Sequence, residues 1–417
     1  MRVAWPYVAI TVLVLAPLIL TLRQFQRLFW FGDEWDLIND LNAGGPTRWL
    51  FSIFGGEDFA PLFKVIWGGW MWLFHGSYMA MIILSWLFHA LNCVLFAWLL
   101  RRAKFGTVAT LFATLVAGLS ATNIETLAWS VQLGRMLTPT CFFIAAGLLT
   151  RQFESPSLKG SVLIVLACLA SAACFLKGAI AGLSLGAACF VCSGARLSGA
   201  YRRISVAALA LVPSTAVALG VSLLSGRLSP LRSLASLRAA ASFGLYFFSL
   251  NPLFAMARQT DVTLAAVAIT GTVKVAIIVA AIWSAVERER RNVLFMVLIL
   301  DLAYSCLTGL GRFSTGLDAT VSSRYQYSEL FCWLPFVASL LDVYIRSLAV
   351  RVVVTCVSTA FVAWPWPSAM RSWAEWRGMD TRHVLESPDA PEEGAIPGIP
   401  SMRTSTAKKL VAAYGLH

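Results

Sequence analysis

The chain alternates long apolar runs with short turns rich in arginine. Runs long enough for helices of about 17–25 residues, the length that crosses a bilayer, lie near 4–22, 77–100, 105–121, 133–150, 204–225, 262–285, 293–311, 326–345 and 349–366. Two shorter runs, 161–176 and 178–193, flank "FLKGA" and predict a tight hairpin. Together they predict an all-α polytopic membrane protein with about eleven crossings. The basic clusters between the runs orient it. By the positive-inside rule Arg101–Arg102–Lys104, Arg151 with Lys159, Arg196–Arg202–Arg203, Arg288–Arg290–Arg291 and Arg346–Arg351 are cytoplasmic. The N-terminus then lies inside, and 23–76, 122–132, the turn at Lys177, 226–261, 312–325 and the tail after 366 lie outside.

Two stretches do not read as simple crossings. Segment 57–76 is aromatic-rich, opens near Pro61, and predicts a helix lying in the membrane interface. Segment 226–261 carries Arg227, Arg232, Arg238 and Arg258 on the predicted outside, together with "AAASFGLYFFSLNPLF". A full crossing there would invert every later basic cluster, so an interfacial or re-entrant helix is predicted. The chain divides into a transmembrane part, 1–366, whose first external loop is 23–76, and a tail, 367–417. The tail contains "SPDAPEEGAIPGIPS" and reads as flexible and solvated.

Composition agrees with this class. Of 417 residues 58% are hydrophobic and 13% charged, and the mean hydropathy is +0.73; a soluble chain carries about a quarter of its residues as charges. The net charge of +12 resides mostly in the small clusters that set topology and gives no case for nucleic acid. The nine cysteines lie in apolar runs and read as small apolar residues. "CFVC" (Cys189, Cys192) has zinc or redox spacing but no second Cys or His pair. His75 and His89 likewise lack metal-ligand spacing and read as structural.

The first external loop concentrates acids. "FWFGDEWDLINDL" places Asp33, Glu34, Asp36 and Asp40 immediately after the first span, and with Glu57 and Asp58 the loop holds six of the 21 acidic residues. Acids do little to set topology, so one reading is a solvated loop with Trp30 and Trp35 at the interface, the other a carboxylate site. On the same face, "GLGRFSTGLDATVSSRYQYSELFCW" places Arg312 and Arg324 at the ends of neighbouring spans, suited either to snorkelling or to bidentate phosphate contacts. Lys177 is a lone cation in the hairpin, and "TNIETLAWSVQLGR" adds Glu125, Trp129, Gln132 and Arg135 at helical spacing. Carboxylates for proton abstraction beside cations for a departing phosphate are what glycosyl transfer from a lipid-phosphate sugar needs.

The order of these features resembles the GT-C-type membrane glycosyltransferases of bacteria, which use polyprenyl-phosphate-linked sugars. The similarity runs over roughly residues 1–345 and rests on "GDEW", "DFAPLFKVIW", "LSWLFHALNCVLFAWLLRR", "TLAWSVQLGR", "FLKGA" and "GRFSTGLDATVSSRY". It departs from the family where Gly178 follows Lys177 in place of a frequent glutamate, and where Glu57–Asp58 stand in place of a frequent histidine. The resemblance implies Asp33 or Glu34 as general base and Arg324 as a donor-phosphate ligand, with Arg312 and Lys177 as further cations. Glu57, Asp58, Gln132 and Tyr325 are additional site candidates. It implies a polyprenyl-phosphate sugar donor, a glycan, lipid or protein acceptor, and an extracytoplasmic active site in a bacterial inner membrane. A divalent metal such as Mg or Mn is left open, as are the sugar and the acceptor. The rival readings are a transporter or flippase of lipid-linked saccharides, for which Asp301 in "VLILDLAYSC" is the one mid-span candidate, and a non-catalytic relative.

Overall fold

The computed structural model describes residues 5–53, 59–155, 157–192, 233–257, 259, 261–377, 379–387, 391–396 and 399–417. In them the chain forms helices α1 (Trp5–Leu20), α2 (Leu22–Phe25), α3 (Asp33–Phe51), α4 (Pro61–Leu73), α5 (Tyr78–Arg102), α6 (Thr107–Leu119), α7 (Ile124–Ala128), α8 (Leu133–Glu154), α9 (Leu158–Cys174) and α10 (Ala179–Cys192). There follow α11 (Leu234–Leu250), α12 (Leu253–Met256), α13 (Leu264–Ser284), α14 (Arg288–Arg312), α15 (Ser323–Tyr344), α16 (Leu348–Ala363), α17 (Trp366–Arg377), α18 (Met379–Glu386) and α19 (Thr404–Tyr414). A short antiparallel pair, β1 (Ala395–Ile396) and β2 (Ile399–Arg403), precedes the last helix.

The predicted helical class holds. Five helical stretches among the described residues are long and apolar enough to cross a membrane: 78–102, 130–153, 264–284, 288–315 and 348–374. A sixth follows if 107–119 and 121–128, bent by 42°, form one broken span. The remaining expected crossings differ. Helices α1, α9 and α10 have 16, 17 and 14 residues within the described stretches, one of which begins with α1 and another of which ends with α10. Helix α15 is long enough, but Ser323, Arg324, Gln326, Ser328 and Glu329 make its first two turns polar. The expected run 204–225 lies outside the described residues, as do Arg196, Arg202, Arg203, Arg227, Arg232 and Arg258.

Basic clusters from distant parts of the chain meet at one end of the bundle. There the Asp342 carboxylate, at the end of α15, pairs with Arg290 at 2.7 Å and Arg351 at 2.9 Å, and accepts the Gly106 N–H at 2.9 Å. Lys104 pairs with both Glu287 and Glu289 at 3.1 Å, and Arg102 donates to Thr150 at the end of α8. One carboxylate thus ties the α5–α6 turn to the starts of α14 and α16. The glycine is required there, because a Cβ at position 106 would meet Asp342 Oδ1 at 2.3 Å.

At the opposite end, here called the loop end, α3 and α4 pack beneath the turns. Pro61 opens α4 at its first position, where a missing N–H costs nothing. Phe63, Lys64, Trp67 and Met71 face inward, while Val65, Trp72 and Leu73 are exposed, an arrangement suited to the predicted interfacial placement. The Lys64 ammonium donates to Trp49 O at 2.6 Å and Ser52 O at 2.8 Å, satisfying carbonyls at the end of α3. Burial lowers its pKa to about 8.

Helix α11 lies in the stretch predicted to be interfacial or re-entrant. It runs antiparallel along the C-terminal half of α14, in close backbone contact: a Cβ at Gly309 would meet Ala240 O at 2.4 Å. Its 17 residues span about 26 Å at ~1.5 Å per residue, and Asn251, just beyond its end, donates its side-chain amide to the Thr320 carbonyl, shortly before α15, at 2.8 Å.

The tail departs from the flexible segment its composition predicts. Trp366 donates to Leu119 O at 2.7 Å, and Trp373 meets the Phe31 ring edge-on at 6.2 Å. Ala407 and Leu410 of α19 are buried, and His417 pairs its backbone with the turn before α5, accepting from Tyr78 N at 2.8 Å and donating to Gly76 O at 3.1 Å. The proline- and acid-rich stretch dominates the composition, while the helically spaced apolar residues after it fold back on the loop end.

Candidate functional site

The acids of "GDEW" have unlike environments. Gly32 precedes α3 with φ +59°, and a Cβ there would press on the Trp129 ring at 3.1 Å. The helix then begins with Asp33, Glu34 and Asp36, whose negative charge complements the positive end of its dipole. Glu34 is fully buried. Its carboxylate accepts from Phe31 N at 3.0 Å, Ser130 N at 2.9 Å, the Ser130 hydroxyl at 2.5 Å and the Tyr78 hydroxyl at 3.3 Å. Burial raises its pKa to about 8, against the lowering effect of Ser130 and Phe31. Asp33, Asp36 and Asp40 are exposed, and burial together with the charges of Asp33 and Asp40 raises the Asp36 pKa.

Glu34 is therefore a brace within the protein, and Asp33 is the carboxylate of the pair that faces outward. The tryptophans are not interfacial in the way the solvated-loop reading expects. Trp30 and Trp35 are fully buried; their indoles donate to Gly76 O and Trp30 O at 3.1 and 3.0 Å. Phe31 stacks on Trp129 with centroids 5.5 Å apart, and Trp67 donates to the Ser130 hydroxyl. This aromatic scaffold holds the start of α3 against the turn 120–132.

That turn leads into the cations. Arg135, one turn into α8, is buried, donates to Arg324 O at 2.8 Å, and lies 5.2 Å from the centroid of Tyr325. Arg324 lies 5.4 Å from the same ring and the Lys177 ammonium 4.6 Å. Lys177 also sits 4.5 Å over the Tyr304 ring and contacts the hydroxyls of Tyr304 and Thr308 at 3.4 and 3.5 Å. Three cations from three parts of the chain thus surround one tyrosine, held by ring quadrupoles. Arg135 Nε, Arg324 Nε, the Tyr325 hydroxyl and Gln132 Oε1 are buried without hydrogen-bond partners among the described residues. Glu125, buried on α7, accepts from the hydroxyl of Ser323, the residue before Arg324.

Of the sequence-predicted residues, Lys177, Arg324 and Tyr325 come together, with Gln132 one helical turn from Arg135. Arg312 ends α14 one turn beyond Thr308. Glu57 and Asp58, and the side chains of Cys189 and Cys192, lie outside the described residues. Arg135, Glu125 and Tyr304 received no role from the sequence, although the helical spacing of Gln132 and Arg135 was the available signal. Asp301 is not solitary: it is paired with Lys274 in the bundle interior. His89 is structural, its ring nitrogens bonded to Tyr327 and Gly118 at 3.1 and 2.9 Å. Among the described residues no three His, Cys, Asp or Glu side chains are grouped to hold a metal ion. No protein-family model matches the chain, and no curated protein matches it.

Proposed function

We propose that this protein is an integral-membrane glycosyltransferase of the GT-C type. It moves a sugar from a polyprenyl-phosphate donor to a glycan, lipid or protein acceptor, with inversion at the anomeric carbon. The finer architecture belongs to the same reading: about eleven crossings, a bacterial inner membrane, and the loop end on its extracytoplasmic face. The observation that carries the proposal is the convergence of Lys177, Arg135 and Arg324 on Tyr325, with two buried guanidinium N–H groups lacking acceptors. A phosphate supplies the oxygens those donors lack, and a guanidinium meets two of them at once.

In the reaction, Asp33 takes the proton of the acceptor hydroxyl, whose oxygen attacks the anomeric carbon. The bond from that carbon to the phosphate oxygen breaks, its electron pair stays on the phosphate, and polyprenyl phosphate leaves. Negative charge grows on the phosphate beside the cation cluster, where a low dielectric strengthens the attraction. Glu34 positions the turn that carries Gln132 and Arg135, rather than serving as the second base.

A flippase of lipid-linked saccharides is the second reading, favoured by one specific observation. Lys274, Asp301 and Glu329 are ionisable groups buried in the middle of the bundle, where transporters keep their pathway groups. The test is purified protein with radiolabelled polyprenyl-phosphate sugars and candidate acceptors, following release of polyprenyl phosphate. Release with a glycosylated product supports the transferase; lipid movement in vesicles without release supports the flippase.

A further inference from the structure

Three ionisable side chains on three adjacent helices meet inside the bundle. Lys274 stands at the midpoint of α13, Asp301 at the midpoint of α14 and Glu329 two turns into α15, and none is exposed. The Lys274 ammonium is 2.8 Å from Asp301 Oδ2 and 3.8 Å from Glu329 Oε2. It also donates to Asn251 O at 2.9 Å and lies 4.2 Å from the centroid of the Phe248 ring. One cation therefore faces two carboxylates.

We propose that Asp301 and Glu329 share one bound proton beside Lys274, so that the cluster carries no net charge in the membrane interior. Two arguments meet on this assignment. The first is charge: a buried carboxylate with no counter-charge costs several kcal/mol even after relaxation, a cost of roughly the size that decides whether a bundle folds. Lys274 balances one carboxylate and leaves the other uncompensated. The second is hydrogen bonding. Among the described residues, no donor besides the Lys274 ammonium reaches either carboxylate, although all four oxygens are buried. Asp301 Oδ2 and Glu329 Oε2 face that one ammonium, at 2.8 and 3.8 Å, and so share a single side chain. Two ionised carboxylates there would offer acceptors alone; one bound proton supplies the pair with a donor. Asp301, nearer the ammonium, is the ionised partner, and Glu329 carries the proton.

The groups that face the pair are neutral apart from Lys274 and, through space, the half-buried Lys177. Helix α13 contributes Lys274, α14 contributes Tyr304 one turn from Asp301, and α15 contributes the Cys332 thiol. Helix α11 and its end contribute the Phe248 ring and the Asn251 amide, neither of them ionisable. From the α9–α10 hairpin, Lys177 acts on Glu329 through space. The proton consequently decides how much negative charge stands behind the cations at the loop end. The cluster is independent of the activity proposed above, since a flippase or an inactive relative would need the same balance.

Infrared spectroscopy of the full-length protein in nanodiscs tests the assignment, using Glu34→Gln as the background because Glu34 is itself a buried acid. At neutral pH the background protein should show a protonated-carboxyl C=O band that shifts in heavy water. Adding Glu329→Gln should abolish the band while keeping the fold, because the amide N–H donates to Asp301 where the shared proton stood. Adding Asp301→Asn should also abolish it, because Glu329 then ionises to balance Lys274. A spectrum unchanged by Glu329→Gln overturns the proposal. If that variant does not fold, persistence of the band in Asp301→Asn overturns it equally.

Discussion

Glu34 and Ser130, 96 positions apart in the chain, are joined through one carboxylate oxygen, which accepts both the Ser130 N–H at 2.9 Å and its hydroxyl at 2.5 Å. Burial raises the Glu34 pKa from 4.5 to about 8 in the folded protein. The folded state therefore holds a proton that the unfolded state releases. This contribution to stability is fully present below the unfolded value and is lost as pH rises through about 8. Stability in detergent should fall between pH 5 and pH 8.5 by on the order of a few kcal/mol, and the thermal midpoint should fall with it. In Glu34→Gln that slope should flatten. Tryptophan fluorescence melts across the range check it; parallel slopes for the two proteins would remove the role.

Asp33 lies next to this brace but is exposed, and in the proposed reaction it is the carboxylate that meets the acceptor hydroxyl. Asp33→Asn should lower turnover by roughly 10²–10⁴-fold, the usual contribution of a positioned base, with little change in donor binding. Glu34→Gln should lose less turnover, because its amide oxygen still accepts from Ser130, although its NH2 cannot accept the Phe31 N–H. The comparison of the two purified variants in the transfer assay decides which carboxylate is chemical and which is architectural.

At the other end of the bundle, Asp342 is the common partner of Arg290, Arg351 and the Gly106 N–H. Removing it leaves two mostly buried guanidinium groups without their carboxylate. Asp342→Ala should destabilise by roughly 3 kcal/mol, within the range for breaking a buried pair. Asp342→Glu should recover part of the loss. A lowered thermal midpoint with unchanged donor affinity in the folded fraction is expected, since this cluster lies far along α15 from Arg324.

Five of the expected runs, 77–100, 133–150, 262–285, 293–311 and 349–366, reappear as helices long and apolar enough to cross a membrane, because bilayer thickness imposes its own length and needs no tertiary context. The short helices α9 and α10 were legible as a hairpin but not as partial spans, since their lengths depend on what they pack against. The cations Lys177 and Arg324 stood out because they lie away from the basic clusters that set topology. Arg135 stood out only by its helical spacing from Gln132, because nothing in "VQLGRM" says that its side chain turns inward onto Tyr325. Lys274 was hidden for the same reason: its carboxylate partners lie on two other helices, and only packing brings them together. Glu34 was misread because adjacency to Asp33 suggests a shared role, whereas successive residues of a helix point in different directions. The tail was misread because a composition argument averaged over a segment whose last part has helically spaced apolar residues.

Arg324 and Arg135 are close enough to be confused and should separate under conservative substitution. Arg135 is buried and already spends one guanidinium N–H on the Arg324 carbonyl at 2.8 Å. It therefore positions Arg324 as well as adding charge. Arg324, at the start of α15, is half-buried and lies 5.4 Å from the Tyr325 ring centroid. A lysine at 324 keeps the charge but offers a compact ammonium in place of two parallel donors. If the leaving group is a lipid phosphate, the second donor matters most as charge develops on the phosphate oxygens. Arg324→Lys should lower turnover at least tenfold, roughly 1.4 kcal/mol of barrier, while donor affinity changes by less. Arg135→Lys should weaken affinity and turnover together, because Arg324 loses its support in both states. Single-turnover release of polyprenyl phosphate, set beside equilibrium binding of the donor lipid, separates the two patterns. Equal effects of Arg324→Lys on binding and turnover would mean that the residue holds the donor without responding to the transition state.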